Sequence, residues 1–252
     1  MNNYHKKTAV VLLIVAAFLY ACSGTVEKDD FFVDTDVGTS RNLVVLLPTV
    51  GGDGSFYESQ GFIQEMRKRG GEGHYKILDV KPSLYLNSEL IELLKTEVID
   101  PAKTDRYETI WLVGTSLGGH GALLYLSKYP EDIYATVVLA PFLADPMTTS
   151  SIEDEGGLEK MDDCPGIAWD YACNMLVLIK DYLSIPGNER RLALGYGTED
   201  GFARQNRLLA DLMPPDLVFT VPGGGHDWET WKKLWIQVLD HIEAKMAEQK
   251  GR

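Results

Sequence analysis

Short runs of β-branched and aliphatic residues alternate with longer amphipathic segments from Asn42 to the end of the chain. Runs that are apolar on both faces are typical of strands buried in a parallel sheet, and the segments between them are typical of crossover helices. The apolar runs predict strands at Leu43–Leu47, Tyr75–Val80, Thr109–Val113, Ala135–Ala140, Leu192–Tyr196 and Leu217–Val221. The amphipathic segments predict helices near Phe56–Arg69, Ser88–Ile99, Leu117–Lys128, Phe202–Leu212 and Asp227–Ala247. We therefore expect an α/β fold, with a doubly wound, mainly parallel sheet of about six strands and helices on both faces.

One connection between predicted strands is too long for a simple crossover. Residues 142–188 contain far more chain than such a connection normally needs. We interpret residues 143–188 as an inserted lid or cap within one domain that spans residues 41–252. Its apolar residues from Trp169 to Ile179 have helical spacing. Most of them are expected to pack on the sheet, while a minority are candidates for lining a substrate pocket.

A different pattern marks the N-terminus. Lys6 and Lys7 precede an apolar run, Ala9–Leu19, which is shorter than the about 20 residues that a membrane-spanning helix needs and is typical of a secretory signal peptide. The run ends in Leu-Tyr-Ala-Cys at residues 19–22, which resembles a bacterial lipobox. The resemblance implies that Cys22 becomes the lipidated first residue of a protein held in the bacterial cell envelope. The alternatives are an ordinary signal peptide with secretion, or an uncleaved anchor.

On the lipoprotein interpretation, residues 1–21 are the signal peptide and residues 22–40 are a tether. The tether is rich in Asp, Gly, Ser and Thr, which suits a solvated segment. Phe31, Phe32 and Val33 interrupt this composition and are candidates for docking on the domain.

The charge balance excludes some partners. The 252 residues carry 24 Lys and Arg against 37 Asp and Glu, a net charge of −13. Because phosphate would be repelled, no nucleic-acid partner is expected. An acidic surface also gains nothing from anionic lipid, so membrane attachment would depend on the acyl chains at Cys22.

The three Cys residues indicate neither a metal site nor a disulfide-rich scaffold. No Cys-x-x-Cys or His-x-x-x-His spacing offers a zinc site. Once Cys22 is modified, Cys164 and Cys173 either form a bridge or stay as two buried thiols.

The strongest chemical signal follows the predicted strand Thr109–Val113. The residues Gly114-Thr115-Ser116-Leu117-Gly118 have the G-x-S-x-G pattern of a nucleophile elbow and run directly into a predicted helix. Glycines at both ends permit a sharp turn that lifts a serine hydroxyl clear of the sheet. Ser116 is therefore the candidate nucleophile, and a Gly-rich connection with an exposed serine is the alternative.

A serine hydroxyl needs a base, and the base needs an orienting acid. His226 follows the last predicted strand in a Gly-rich turn and is the candidate base. The other histidines are less suitable. His5 lies in the signal segment, His74 precedes a strand, and His241 lies within the last predicted helix. His120 lies on the helix that follows Ser116 and points along it.

The candidate acid is Asp200, which follows the predicted strand Leu192–Tyr196. An aspartate at such a junction also commonly caps a helix. Glu199, its neighbour, and Asp145, after another strand, are the substitutes if the geometry differs.

Attack on a carbonyl creates an oxyanion, which needs two donors. The Leu117 N–H at the start of the predicted helix is one candidate. The loop after the first strand should supply the other, with Val50 as the first choice and Gly51 as the alternative.

Together these residues resemble the α/β-hydrolase family, in particular its esterase D and feruloyl-esterase-like branch. The similar segments are residues 114–122, 224–228 and 47–53, and the resemblance spans about residues 42–247. It implies a Ser116/Asp200/His226 triad, an acyl-enzyme mechanism and no cofactor. Two features differ from that pattern, because Pro48-Thr49 replaces His-Gly and the domain starts directly at the strand that is normally third.

The sequence therefore predicts a serine esterase that acts on small-molecule carboxylic esters. The same triad would also serve an acyltransferase, a thioesterase or a peptidase, since the elbow does not specify the leaving group. The rival from another class is a non-catalytic binding lipoprotein on a hydrolase scaffold.

Overall fold

A computed structural model describes residues 32–35, 40–50, 55–69, 73–78, 84–85, 89–105, 107–164 and 170–250. Within these residues one sheet contains seven strands, in the order β1-β3-β2-β4-β5-β6-β7. The strands are β1 (Phe32–Thr35), β2 (Asn42–Leu47), β3 (His74–Leu78), β4 (Thr109–Thr115), β5 (Ala135–Leu139), β6 (Leu192–Gly197) and β7 (Val218–Val221). Strands β2 to β7 are mutually parallel, so the predicted parallel sheet is confirmed.

Strand β1 extends the sheet beyond the prediction. It pairs antiparallel with β3, from Phe32 opposite Leu78 to Thr35 opposite Tyr75. Four residues suffice for such an edge strand, which is too short for a periodicity signal, and the sequence pattern placed it in the tether. The predicted signal peptide and Cys22 lie outside the described residues.

Nine α-helices lie in the described ranges, and two predicted helices differ in detail. They are α1 (Ser55–Ser59), α2 (Phe62–Lys68), α3 (Glu89–Leu93), α4 (Asp100–Thr104), α5 (Leu117–Lys128), α6 (Pro146–Asp154), α7 (Asp170–Ser184), α8 (Ala203–Ala210) and α9 (Trp228–Lys250). The helix predicted near Phe56–Arg69 is split at Gly61, whose φ of 82° is left-handed. The helix predicted near Ser88–Ile99 continues through a π-helical segment, Leu94–Ile99, into α4.

The alternating side chains of β2 show that both faces of the sheet are covered. Leu43, Val45 and Leu47 belong to a core shared with α3, α5 and α7. Val44 and Leu46 point to the other face and join a core shared with α2 and α9. All five are buried, as the continuous apolar run predicts for a central parallel strand.

The segment interpreted as a lid contains much of the first core. Helix α7 packs against α5, and Ile152, Leu158 and Cys173 belong to the same apolar cluster as the β-strands. Helix α7 is thus a crossover helix between β5 and β6, and a lid function for this segment stays a prediction. Trp169 lies outside the described residues.

A disulfide joins Cys164 to Cys173, with Cα atoms 5.8 Å apart. The structure thereby decides between the two alternatives for these thiols. A loop this small contributes about 2–3 kcal/mol by chain entropy. In the part of the chain that the structure describes, no helix is long and apolar enough to span a bilayer.

Candidate active site

Ser116 lies in a strained turn between β4 and α5. Its φ of 53° and ψ of −115° are unusual for a residue with a side chain, and such a conformation costs about 1–3 kcal/mol. A Cβ on Gly114 would lie 2.3 Å from the Gly118 carbonyl oxygen, and one on Gly118 would lie 1.8 Å from that of Leu47. The tight turn therefore requires both glycines of the G-x-S-x-G pattern.

Backbone hydrogen bonds hold this turn. The Ser116 N–H donates to the Leu139 carbonyl at 2.9 Å, and the Ser116 carbonyl accepts from the Phe142 N–H at 3.0 Å. Both partners belong to β5 or the segment after it. The elbow is thus anchored to the neighbouring strand.

The structure brings Ser116, His226 and Asp200 into one hydrogen-bonded chain. Ser116 Oγ lies 2.8 Å from His226 Nε2. His226 Nδ1 lies 2.8 Å from Asp200 Oδ2 and 3.1 Å from Oδ1. An ionised carboxylate only accepts hydrogen bonds, so Nδ1 carries the imidazole proton. Nε2 then accepts the hydrogen bond that the serine hydroxyl donates. Ser116 and Asp200 are buried and His226 is partly exposed.

The loops after β6 and β7 place Asp200 beside His226. A Cβ on Gly197 would lie 2.2 Å from the Gly224 carbonyl oxygen, so the end of β6 touches the loop after β7 through its backbone. Gly224 also accepts from the Glu199 N–H at 3.0 Å, and Thr198 Oγ1 accepts from the Gly223 N–H at 2.8 Å. These contacts fix the distance between the acid-bearing and base-bearing segments.

Asp200 bonds both the backbone before α8 and the imidazole of His226, but it does not cap that helix, whose N-cap is Phe202. Its Oδ1 accepts the Phe202 N–H at 2.7 Å at the start of α8, while Oδ2 faces His226. The backbone bond therefore holds the carboxylate in place for the imidazole.

Two aromatic rings hold the imidazole. The Phe202 ring centroid lies 4.7 Å from that of His226 and the Trp231 centroid lies 4.9 Å from it, both edge-to-face. The sequence analysis did not single out Phe202. Its place two residues after the acid, at the start of a helix, was the available signal.

The alternative acids and bases lie elsewhere. Asp145 caps α6 by accepting the N–H groups of Met147 and Thr148. Glu199 is exposed. His241, on α9, contacts Phe219 of β7. His74 begins β3, and His5 lies outside the described residues.

His120 is buried on α5 and bonds the segment that follows β5. Its Nδ1 lies 3.1 Å from the Phe142 carbonyl oxygen. Burial lowers the pKa of His120 to about 4, although that hydrogen bond acts in the opposite direction. His120 is therefore neutral at physiological pH and donates through Nδ1, since a carbonyl only accepts.

The predicted oxyanion donors start from neighbouring elements. Leu117 is the first residue of α5, so its N–H has no partner within the helix. Val50 lies just beyond β2 and is 38% exposed, and Gly51 lies outside the described residues. The end of β2 abuts the start of α5, because a Cβ on Gly118 would overlap the Leu47 carbonyl. The assignment of Val50 as a donor stays a prediction.

Tyr57 was missed by the sequence analysis. It is fully buried in α1, and its hydroxyl contacts the Leu47 carbonyl oxygen and Thr115 Oγ1. Burial raises its pKa, so the hydroxyl stays protonated. No local pattern separates such a tyrosine from any other aromatic core residue.

No group of three or more His, Cys, Asp or Glu side chains suited to a metal occurs in the described part of the chain. The chemistry that the arrangement offers is proton transfer from a serine hydroxyl to an imidazole that is oriented by a carboxylate.

Comparison with known proteins gives consistent matches. A model of the Esterase family, described as "Putative esterase", matches residues 35–242. An acetyl esterase from Caldicellulosiruptor saccharolyticus is 25% identical over 211 residues, which cover 76% of this chain and 68% of the relative. A ferulic acid esterase structure has a TM-score of 0.56 at 16% identity, over 82% of this chain and 85% of its own. An α/β-hydrolase from a lagoon-sediment metagenome has a TM-score of 0.54 at 19% identity, over 90% of this chain and 100% of its own. The α/β-hydrolase fold is thereby confirmed.

Proposed function

We propose that the chain, which belongs to the Esterase family and is a carboxylic ester hydrolase, acts through an acyl-enzyme formed on Ser116. The observation that carries this proposal is the hydrogen-bonded chain from Ser116 Oγ through His226 to Asp200. It supplies a nucleophile, a general base and an orienting acid within direct contact.

The two half-reactions use the same groups. Ser116 Oγ attacks the ester carbonyl while its proton passes to His226 Nε2, and the imidazolium is stabilised by Asp200. His226 then returns the proton to the leaving alcohol as the tetrahedral adduct collapses to the acyl-enzyme. Water attacks the acyl group in the second half, with His226 again taking and returning a proton. Ser116 is regenerated and the carboxylic acid is released.

The N–H groups of Leu117 and Val50 bind the oxyanion in both half-reactions. The Leu117 N–H has no partner within α5, because Leu117 is the first residue of that helix, and its position after Ser116 brings it to the attacked carbonyl. Val50 approaches from the end of β2, which abuts the same helix. Each such donor is typically worth about 3–4 kcal/mol of transition-state stabilisation.

The substrates are small-molecule esters. The acetyl esterase relative supports acetyl esters as the first class to assay. The Phe142 and Phe202 rings, whose centroids lie 5.5 Å apart, provide apolar surface on the side of the site that follows β5.

The decisive experiment is Ser116→Ala in an assay of p-nitrophenyl acetate hydrolysis and fluorophosphonate labelling. Turnover should fall by at least about 10⁴-fold, because removing the nucleophile removes the acyl-enzyme route. Covalent labelling should disappear. The circular-dichroism melt should show a folded protein.

Ser127→Ala is the matched control, because Ser127 lies on the same helix and its hydroxyl bonds only the Leu124 carbonyl among the contacts described. It should keep parental turnover and labelling. An unlabelled parent protein, or labelling that persists in Ser116→Ala, would reject the mechanism.

We also propose that Cys22 is lipidated and holds the enzyme in the bacterial cell envelope. The support is the charged segment, short apolar run and Leu-Tyr-Ala-Cys ending at residues 19–22. Expression in a bacterium fed an alkyne-bearing fatty acid should give a labelled, membrane-associated protein. Cys22→Ser should lose both the label and the association, and equal labelling of the variant would contradict the proposal.

A further inference from the structure

The Tyr57 hydroxyl connects the two segments that form the opposite sides of the proposed oxyanion site. It lies 2.8 Å from the Leu47 carbonyl oxygen and 3.1 Å from Thr115 Oγ1. Because a carbonyl oxygen only accepts, Tyr57 donates its proton to Leu47, and the Thr115 hydroxyl then donates to the Tyr57 oxygen. Both bonds are buried.

The two hydrogen-bond partners of Tyr57 lie at the ends of neighbouring strands. Leu47 ends β2 and precedes the loop that contains Val50, and Thr115 ends β4 directly before Ser116. Leu47 and Gly114 are already paired in the sheet. Tyr57 therefore ties the two strands together at the end of their ladder, from the last paired residue of β2 to the residue after Gly114 on β4.

The Leu47 carbonyl is also in contact with the nucleophile helix. A Cβ on Gly118 would lie 1.8 Å from the Leu47 oxygen and 2.7 Å from the Pro48 oxygen. A small rotation of the Leu47 peptide would therefore change how the Val50 segment lies against the start of α5. The hydrogen bond from Tyr57 opposes that rotation.

The ring of Tyr57 reaches towards the base. It contacts Phe62 at 5.2 Å and Trp228 at 5.8 Å between centroids, both edge-to-face. Trp228 contacts Trp231 at 5.0 Å, and Trp231 contacts His226. Removing the whole ring would therefore disturb the base as well, so a test must change the hydroxyl alone.

We propose that Tyr57 is a positioning residue, which holds the Leu47 peptide and thereby keeps the Val50 N–H aligned with the oxyanion that forms at Ser116. The inference rests on the proposed acyl-enzyme mechanism. Tyr57 does not touch the substrate, because its side chain is fully buried. Its effect should appear in the transition state, where the oxyanion forms, and not in the binding of the uncharged ester.

The test is Tyr57→Phe, which keeps the ring and removes both hydrogen bonds. We expect kcat for p-nitrophenyl acetate to fall by about 10- to 100-fold while KM changes by less than about 2-fold, since a misaligned donor costs less than an absent one. The inhibition constant of a phenyl trifluoromethyl ketone, which forms a tetrahedral adduct on the serine, should rise by a similar factor.

Tyr125→Phe is the matched control. Tyr125 is also buried, and its hydroxyl donates to Asp132 at 2.9 Å near the other end of α5. This variant loses a buried hydroxyl bond and should melt at a lower temperature, yet keep the parental kcat and inhibition constant at 25 °C. Thr115→Val removes only the hydrogen bond between Thr115 and Tyr57 and leaves the bond from Tyr57 to Leu47. It should lower kcat by less than Tyr57→Phe does.

The outcomes separate this inference from the proposed function. Unchanged kcat and inhibition constant in Tyr57→Phe overturn the inference alone, provided that Ser116→Ala is inactive. Equal losses of kcat in Tyr57→Phe and Tyr125→Phe also overturn it, because the effect would then be general destabilisation. An active Ser116→Ala variant overturns both the mechanism and the inference.

Discussion

Two aspartates have almost fully buried side chains, and their surroundings differ sharply. The Asp200 side chain is 0% exposed and that of Asp132 is 1% exposed. Asp200 follows β6, at the carboxyl edge of the sheet where α/β proteins place their ligands. Asp132 precedes β5, at the opposite edge. Burial alone therefore does not distinguish a carboxylate at a candidate active site from a structural one.

The hydrogen-bond partners of the two aspartates distinguish them. Asp132 accepts from Lys95 Nζ at 2.7 Å, from Lys103 Nζ and from the Tyr125 hydroxyl at 2.9 Å. Burial acts to raise the pKa of Asp132, but the hydrogen bonds from Lys103 and Lys95 outweigh it and hold the pKa below its ordinary value. Two permanent cations therefore compensate this charge in the resting protein.

Asp200 has no cation of that kind among its described contacts. Its partners are the Phe202 N–H and the imidazole of His226. In the proposed mechanism, its negative charge stabilises the imidazolium that forms only during turnover. The comparison predicts that Asp200 matters for rate and Asp132 for stability.

The largest expected effect is on the rate of Asp200→Asn. We expect kcat for p-nitrophenyl acetate to fall by about 10⁴-fold, since an amide can stabilise the wrong imidazole tautomer and cannot balance its charge. The urea-unfolding midpoint should change little. A variant with more than a tenth of the parental kcat would contradict the proposed role of Asp200.

Asp132→Asn should show the reverse pattern. Two lysines would lose their compensating charge, and we expect the free energy of unfolding to fall by about 3–4 kcal/mol, towards the lower end for a broken buried pair because both lysines reach solvent. Urea unfolding at pH 7 measures the loss. The kcat at 25 °C should stay within about 2-fold, and a large fall in kcat without a loss of stability would break the comparison.

The pH dependence of the free energy of unfolding should distinguish His120, near the carboxyl edge of the sheet, from Asp132, at the opposite edge. Because burial lowers the pKa of His120 from 6.5 to about 4, the unfolded chain binds a proton in this range that the folded protein does not. Stability should therefore fall as the pH drops from about 6.5 to about 4, by roughly 3 kcal/mol for this group.

His120→Asn should flatten that slope, since the amide can replace the Nδ1 donor and does not titrate. Asp132→Asn should keep it, because the lowered pKa of Asp132 confines its own contribution to more acidic solutions. Urea unfolding at pH 7, 6, 5 and 4 measures both slopes. An unchanged slope in His120→Asn would count against the burial of this imidazole.

The smallest expected effect is that of Lys103→Met. The Lys103 side chain is 45% exposed, and Lys95 remains to compensate Asp132. We expect a loss of about 1 kcal/mol in the free energy of unfolding, with no change in kcat. A loss as large as that of Asp132→Asn would show that Lys95 does not compensate the carboxylate.

Much of the scaffold was predictable because its signals are local. The apolar runs identified six parallel strands, and helix α5 begins and ends where the pattern places it. The glycines around Ser116 predicted the sharp turn, since only residues without Cβ fit there. Gly61, which splits the predicted helix near Phe56–Arg69, shows the limit, because a glycine within an amphipathic segment does not by itself indicate a break.

By itself, therefore, the sequence determined the parallel sheet, the helices that cover it and the turn at Ser116, because apolar periodicity and glycine positions act over a few residues. Apart from Ser116, Asp200 and His226, whose proximity the family resemblance implies, only the tertiary structure decided which polar groups meet. Asp132 and Lys95 are 37 positions apart, and Tyr57 and Thr115 are 58 apart. Contacts across such separations depend on how helices pack on the sheet. The same packing decided that α1 delivers a hydroxyl to the ends of β2 and β4, and that an edge strand from residues 32–35 joins β3.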